Sequence, residues 1–436
     1  MSGENKINSS LENLYNQAVI KNLVSWNTAT NPTDDSYKAE EIVSMQFTNQ
    51  LKSFVESNPE HPVSLFNKGL IFSEALEEEK LQISQNLWKK YQSMKKTKAP
   101  VDQEYLDLFD SMVAVTKKAL EEKELSANQL MFFNDSKLGK PEFILSVVEE
   151  MANISKEFIK TKPKNVVQPI NLDSFSLEKL IAFMEQFSDV DFKISDKNGS
   201  FMTSIDKDHS AIHISKNKKD MFDMSSSVTH EMGHALYQNR LLNKNTEIGK
   251  LGQCISLSLH ESSSIIHEIS LSGIDFNVRE RVDNLYRLGT DKVHYIIHIY
   301  IRMKIEEMLF TDQITAKDIS GVWNSLVEEY IGIKPNNDWE GFLQDVHWNS
   351  GAFGYFHSYA IGFFNAITMY ADIKDSLTSD WCSDTNNIII PKISNWYGNF
   401  NEYSDDILNK MHPDIKNSLS VYKDFIFNNF NYSYGE

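Results

Sequence analysis

His230 and His234 are the residues best placed to do chemistry. They frame Val228-Thr229-His230-Glu231-Met232-Gly233-His234-Ala235-Leu236-Tyr237, an H-E-x-x-H pattern inside a run with helical periodicity. At ~100° and ~1.5 Å per residue, side chains four apart share a helix face one turn apart, so both imidazoles can grip one cation. Glu231 lies beside them, rotated away from direct ligation but able to reach a water held by that cation. Val228, Met232, Ala235 and Leu236 make the helix substantially apolar, so its polar residues are expected to face an interior cleft. A buried polar group needs a partner, and a cation supplies one.

A catalytic zinc takes three protein ligands and keeps one position for water, whose pKa it can lower to about 7. Downstream comes His260-Glu261-Ser262-Ser263-Ser264-Ile265-Ile266-His267-Glu268. Glu261 is the expected third ligand. Glu268, two turns along the same face, is expected to hold a ligand imidazole by its second nitrogen. A charged residue on a helix is ordinarily a solvated face, and the H-E-x-x-H segment is what changes that reading here.

Together these segments carry a family resemblance. His230 to Tyr237, His260 to Ser264, and Gly341-Phe342-Leu343-Gln344-Asp345-Val346-His347-Trp348 resemble the thermostable metallocarboxypeptidases of the carboxypeptidase Taq type. Gly351 to Tyr359 is similar too, and Val293-His294-Tyr295 through His298, Ile301 and Arg302 looks like that family's arginine-bearing helix. The likeness is concentrated between about Ser225 and Gly362. It implies a mainly α, two-lobed, gluzincin-type fold with a deep central cleft. It further implies one Zn2+ per chain, with Co2+ or Mn2+ as substitutes, bound by His230, His234 and Glu261. The implied reaction is release of single C-terminal amino acids from peptides by a homodimer.

The resemblance also implies roles. Glu231 takes a proton from the attacking water and delivers it to the leaving amine. His347 and Tyr359 donate to the oxyanion, with Tyr355 in reserve; core packing is the competing account of any one tyrosine. His260, Gln344 and Asp345 join Tyr355 as expected substrate-binding residues. Arg302 presents a planar donor fork suited to a terminal carboxylate, against which stands an i,i+4 ion pair with Glu306. His294 and His298 share its stripe and are expected to be satisfied histidines rather than a second metal site.

Some positions depart from the family pattern. Gly199-Ser200-Phe201 stands where His-Pro-Phe is usual, Ala211 occupies the place of the arginine in Asp-x-Arg-x-Thr, His357 replaces a proline, and Glu306 stands near an expected aspartate. These departures keep two alternatives open: an oligoendopeptidase or dipeptidase of the gluzincin group, and a catalytically silent metal- or peptide-binding protein.

The elements that must position these residues are mostly helical. Leu14–Val24, Ala39–Phe54 and Tyr105–Glu122 read as amphipathic helices, broken at Asn31-Pro32-Thr33-Asp34-Asp35, at Asn58-Pro59-Glu60-His61-Pro62 and between Lys160 and Pro169. Asp191–Ile194 and Ser210–Ser215 alternate like half-buried strands, predicting a small antiparallel sheet beside the zinc helix. Ser225-Ser226-Ser227 is the expected helix start. An N-terminal helical region, 1–189, and a catalytic region, 190–436, are expected to form one structural unit.

Apolar residues make up 41% of the 436 and charged residues 24%, an ordinary globular balance. A formal charge of −18 disfavours nucleic acid, whose phosphates demand clustered Lys and Arg. No apolar run approaches the ~20 residues that span a bilayer, the N-terminus lacks the apolar core of a signal peptide, and Cys254 and Cys382 allow at most one disulfide. A cytoplasmic address without membrane association is expected.

Overall fold

The computed structural model describes residues 3–67, 72–130, 135–161, 177–196, 199–217, 221–240, 246–272, 292–378, 381–398, 400–401 and 403–429. The helices of eight or more residues are α1 (Gly3–Thr30), α2 (Asp34–Ser57), α3 (Glu74–Thr97), α4 (Gln103–Glu122), α5 (Pro141–Thr161) and α6 (Leu177–Met184). They continue with α7 (Met221–Arg240), α8 (Leu257–Ser272), α9 (Lys292–Phe310), α10 (Ile319–Ile331), α11 (Phe356–Ile373), α12 (Ile390–Tyr397) and α13 (Ile415–Asn429). The fold is mainly α, as expected.

Two compact units interleave along the chain. The first takes residues 1–71, 170–275 and 362–407, and the second takes 72–169, 276–361 and 408–436. Position 190 therefore falls inside the first unit.

Local chemistry sets the helix boundaries. Pro32 interrupts the backbone after α1, and Thr33 starts α2 by accepting the Ser36 N–H at 3.0 Å in a reciprocal capping box. Asp102 caps α4 through Tyr105 N–H, also at 3.0 Å. The break expected between Lys160 and Pro169 lies largely outside the described residues.

In the first unit a three-stranded sheet has the order β1 (Val190–Ser195), β3 (Ser210–Ser215), β2 (Phe201–Ser204). The expected antiparallel sheet is instead mixed. β2 and β3 form an antiparallel hairpin, closed by His209 O accepting from Ile205 and Asp206, whereas β1 runs parallel to β3 from Val190↔Ser210 to Ser195↔Ser215. The hairpin places β3 in the centre, so β1 meets the strand that runs its own way. All six β3 residues are buried, so the alternation suggested by the sequence does not become one wet and one dry face.

Ile212 and Ile214 of β3 pack with Val228, Met232, Ala235 and Leu236 of α7. Burying each large aliphatic side chain contributes on the order of 2 kcal/mol, which fixes α7 and the face it presents. The helix begins at Met221, so Ser225–Ser227 lie inside it rather than capping it. Ser226 is drawn instead into a bond with Glu268 of α8. The second unit centres on aromatic rings: Phe109 meets Trp348 and Phe353 edge-on, with centroids 6.3 and 5.9 Å apart. Among the described residues, no helix is long and apolar enough to cross a membrane.

Candidate active site

The first unit brings His230, His234 and Glu261 together. One donor atom from each lies within 4.8 Å of the others. Glu261 Oε1 is 3.8 Å from His230 Nε2, and its Oε2 is 3.5 Å from His234 Nε2. Tetrahedral ligands at ~2.0–2.1 Å from an ion stand roughly 3.4 Å apart, so the spacing fits one small cation. Glu231 follows His230 on α7 and is 8% exposed.

Close backbone approach makes this possible. A Cβ on Gly233 would stand 2.5 Å from Ser263 O and from Ser264 Cα, so only glycine lets α8 come this near. Ser263 Oγ donates to Gly233 O at 2.8 Å across the same contact. Gly362 of α11 lies against the stem of Glu261, where an added Cβ would meet Cβ and Cγ at 2.7 Å.

A second layer orients the imidazoles. Glu268 Oε2 is 3.2 Å from His230 Nδ1, and Ser226 Oγ donates to Glu268 Oε1 at 2.9 Å. The His260 ring stacks on His234 at 4.4 Å and meets Tyr237 edge-on at 5.0 Å.

The two histidines sit in opposed fields. Burial opposes charge on His230, but Glu268, Glu261 and Glu231 outweigh it and push its pKa up to about 9. Burial, with His260 and His230 nearby, holds His234 well below the ordinary value. Concentrated carboxylate charge beside a neutral imidazole matches the donor chemistry a divalent cation requires.

In the second unit, Arg302 is 5% exposed and gives its Nε to Asp345 Oδ2 at 2.5 Å and Nη1 to His298 O at 3.2 Å. The guanidinium lies over Trp323 and Phe356. Its hydrogen-bonded carboxylate is thus Asp345 and not the i,i+4 residue Glu306, which instead accepts from Trp348 Nε1 at 2.9 Å and from Gly354 N–H.

Asp345 Oδ2 also lies 3.3 Å from His347 Nδ1, and His347 Nε2 lies 3.3 Å from the Tyr359 hydroxyl. Burial opposes ionisation of Asp345, but Arg302, His347 and the Trp348 N–H keep its pKa below the usual carboxylate value. Tyr355 stacks on His347 at 6.1 Å, while Gln344 Nε2 donates to Glu340 O. Gly351 and Gly354 adopt φ of 79° and 71°, a left-handed backbone that glycine takes without a Cβ clash. His294 is 1% and His298 7% exposed.

These motifs coincide with a family match. Residues 68–274 and 274–400 fit the model of the carboxypeptidase Taq (M32) metallopeptidases. The chain belongs to this family. Carboxypeptidase 1 of Bacillus subtilis is 29% identical to this M32 chain over 207 residues, 41% of the chain and 40% of that protein. Thermostable carboxypeptidase 1 of Pyrococcus furiosus is 30% identical over 177 residues, 35% of each. The chain thus spans well under half the length of these curated relatives in the matched stretches.

Solved structures extend the likeness in fold. Pyrococcus furiosus carboxypeptidase matches 98% of this chain and 99% of its own, with a TM-score of 0.74 at 17% identity. Metallocarboxypeptidase 1 of Trypanosoma cruzi matches 97% and 99%, with a TM-score of 0.75 at 17% identity. Membership of a metallopeptidase family implies a divalent metal, and His230, His234 and Glu261 offer this M32 chain a donor set that fits one.

Sequence reasoning missed Ser226, the Arg302–Asp345 pair and the packing role of Gly233. The Ser226–Glu268 and Arg302–Asp345 pairings have no local signal, since the partners lie 42 and 43 residues apart. Gly233 does leave a trace: glycine inside a helix costs ~1 kcal/mol against alanine and so marks a close approach.

Proposed function

We propose that this M32 chain is a zinc metallocarboxypeptidase that removes C-terminal amino acids from peptides. The reading rests on the convergence of His230, His234 and Glu261, with Glu231 next in sequence on the same helix. Zinc bound there supplies Lewis acidity toward the scissile carbonyl and acidifies water. Glu231 accepts the proton of the attacking water and passes it to the leaving amine. Glu268, itself held by Ser226, keeps the proton of His230 on Nδ1 and leaves Nε2 as the ligand atom. His347 and Tyr359 are the proposed oxyanion donors, and Asp345 orients the His347 ring. A homodimer in the cytoplasm, acting on short peptides, completes the proposal.

One observation favours a second reading. Arg302 commits its Nε to Asp345, and Ala211 is a buried strand residue with no donor side chain, which weakens the case for a terminal-carboxylate anchor at either position. An oligoendopeptidase, which cleaves away from the chain end, would not need one there.

Mass spectrometry of free and C-terminally amidated peptides incubated with zinc-loaded protein separates these readings. Stepwise shortening of the free peptides alone is expected, with Glu231→Gln inactive but still binding zinc. Internal cleavage of both sets would replace the carboxypeptidase reading, and no cleavage of either would overturn peptidase function.

A further inference from the structure

His230 and His234 are held in different ways. An imidazole that ligates through Nε2 must keep the metal in its ring plane, yet the χ2 torsion of a histidine restricts that plane only loosely. For His230 the Glu268 carboxylate, 3.2 Å from Nδ1, supplies the missing restraint. His234 lacks a counterpart: its Nδ1 is buried and has no hydrogen-bond partner. The backbone of His260 lies near this ring without meeting hydrogen-bond geometry.

A ring stack takes the place of that bond. His260 lies face to face with His234, the centroids 4.4 Å and the planes 18° apart. Turning His234 about χ2 would drive its edge into the face of His260, so the stack restricts the ring plane. His260 is backed in turn. Tyr237, fully buried, meets it edge-on at 5.0 Å, and Tyr397 meets Tyr237 at 6.0 Å. The Tyr397 hydroxyl donates to Leu259 O of α8 at 3.2 Å, which fixes the far end of the column. These rings come from α7, α8 and the last residue of α12, all in the first unit.

We infer that His260 is a positioning residue: its ring, backed by Tyr237 and Tyr397, holds the plane of His234 and so sets the affinity of the site for a divalent metal. This is a different role from the substrate contact that the resemblance implies. It rests on the reading of His230, His234 and Glu261 as the metal ligands. What matters at position 260 is then a flat face and not a polar atom.

Zinc affinity of the full-length protein, read by competition with a chromogenic chelator, tests this together with urea unfolding of the metal-free protein. His260→Phe keeps a flat ring and is expected to bind zinc within about threefold of wild type. His260→Leu keeps apolar bulk but loses the flat face, and should weaken zinc about tenfold, the scale for a ligand imidazole that loses its support. Tyr237→Leu, one ring further from the metal, should weaken it about threefold. The metal-free stabilities of His260→Leu and His260→Phe should be alike. Zinc binding by wild type that His260→Leu leaves unchanged would overturn the inference alone. Equal losses in the Leu and Phe variants would do the same by making a polar atom of His260 the active part, and so would a loss in His260→Leu matched by a loss of metal-free stability. No zinc binding by wild type would overturn the metal reading, and this inference with it.

Discussion

The strongest electrostatic commitment outside the His230–His234–Glu261 cluster is Arg302 with Asp345. Both side chains are buried, at 6% and 0% exposed, and joined at 2.5 Å. Removing one partner of such a pair strands the other charge, so Asp345→Asn is expected to destabilise the protein by ~3 kcal/mol in urea unfolding. The exposed Lys118–Glu79 pair is a matched contrast, its side chains 54% and 43% exposed. Water screens that pair, and Glu79→Gln should change stability by less than ~0.5 kcal/mol. Equal losses in the two variants would mean that burial does not govern these pairs. At this scale the sequence left Arg302 open between a substrate's terminal carboxylate and the helix neighbour Glu306. The choice of Asp345 was set by tertiary packing and left no mark at i,i+4 spacing.

The α7–α8 contact decides whether His230, His234 and Glu261, the proposed metal ligands, meet. Gly233→Ala would gain ~1 kcal/mol of helix propensity, but its Cβ would enter backbone atoms of Ser263 and Ser264 that cannot rotate away. The expected outcome is a net loss of ~1–2 kcal/mol with metal affinity down by about tenfold or more, read by competition with a chromogenic chelator. Gly321 of α10 is the control: an added Cβ there would meet nothing within 4 Å, so Gly321→Ala should be neutral or stabilising by up to ~1 kcal/mol. A metal affinity unchanged in Gly233→Ala would show that α8 can retreat without moving Glu261. The same contrast marks what could be read in advance. The H-E-x-x-H helix was legible because spacing and apolar period are local properties of one segment. The parallel pairing of β1 with β3 was not, because β2 and its turn intervene and alternation carries no strand direction. Ser225–Ser227 misled for a related reason: serine favours caps, but here Ser226 bonds Glu268 on another helix.

For the whole molecule, buried ionisable groups set opposite pH liabilities. Burial lowers His412 to about 4 and His357 to about 3, so each stays neutral in the native state while its unfolded counterpart gains a proton below about 6.5. Their contribution is full above pH 6.5 and is lost as pH falls toward those folded values. Glu306 behaves in reverse. Burial raises it to about 8 despite hydrogen bonds from Trp348 and Gly354 and the nearby Arg302, with Asp345 adding to the rise. Its contribution is full below about 4.5 and is lost as pH climbs through 8. Between 4.5 and 6.5 the two effects oppose, so the informative windows lie outside that interval. From pH 6.5 to 8, wild type should lose stability relative to Glu306→Gln by up to ~1.4 kcal/mol per unit, the limit for one proton. From pH 4.5 down to 4, it should lose stability relative to His412→Gln at a similar limiting slope. Urea unfolding across pH 4 to 8 measures both differences on one protein. Parallel curves for wild type and both variants would show that these groups titrate alike in the folded and unfolded chains, and that the pH dependence arises elsewhere.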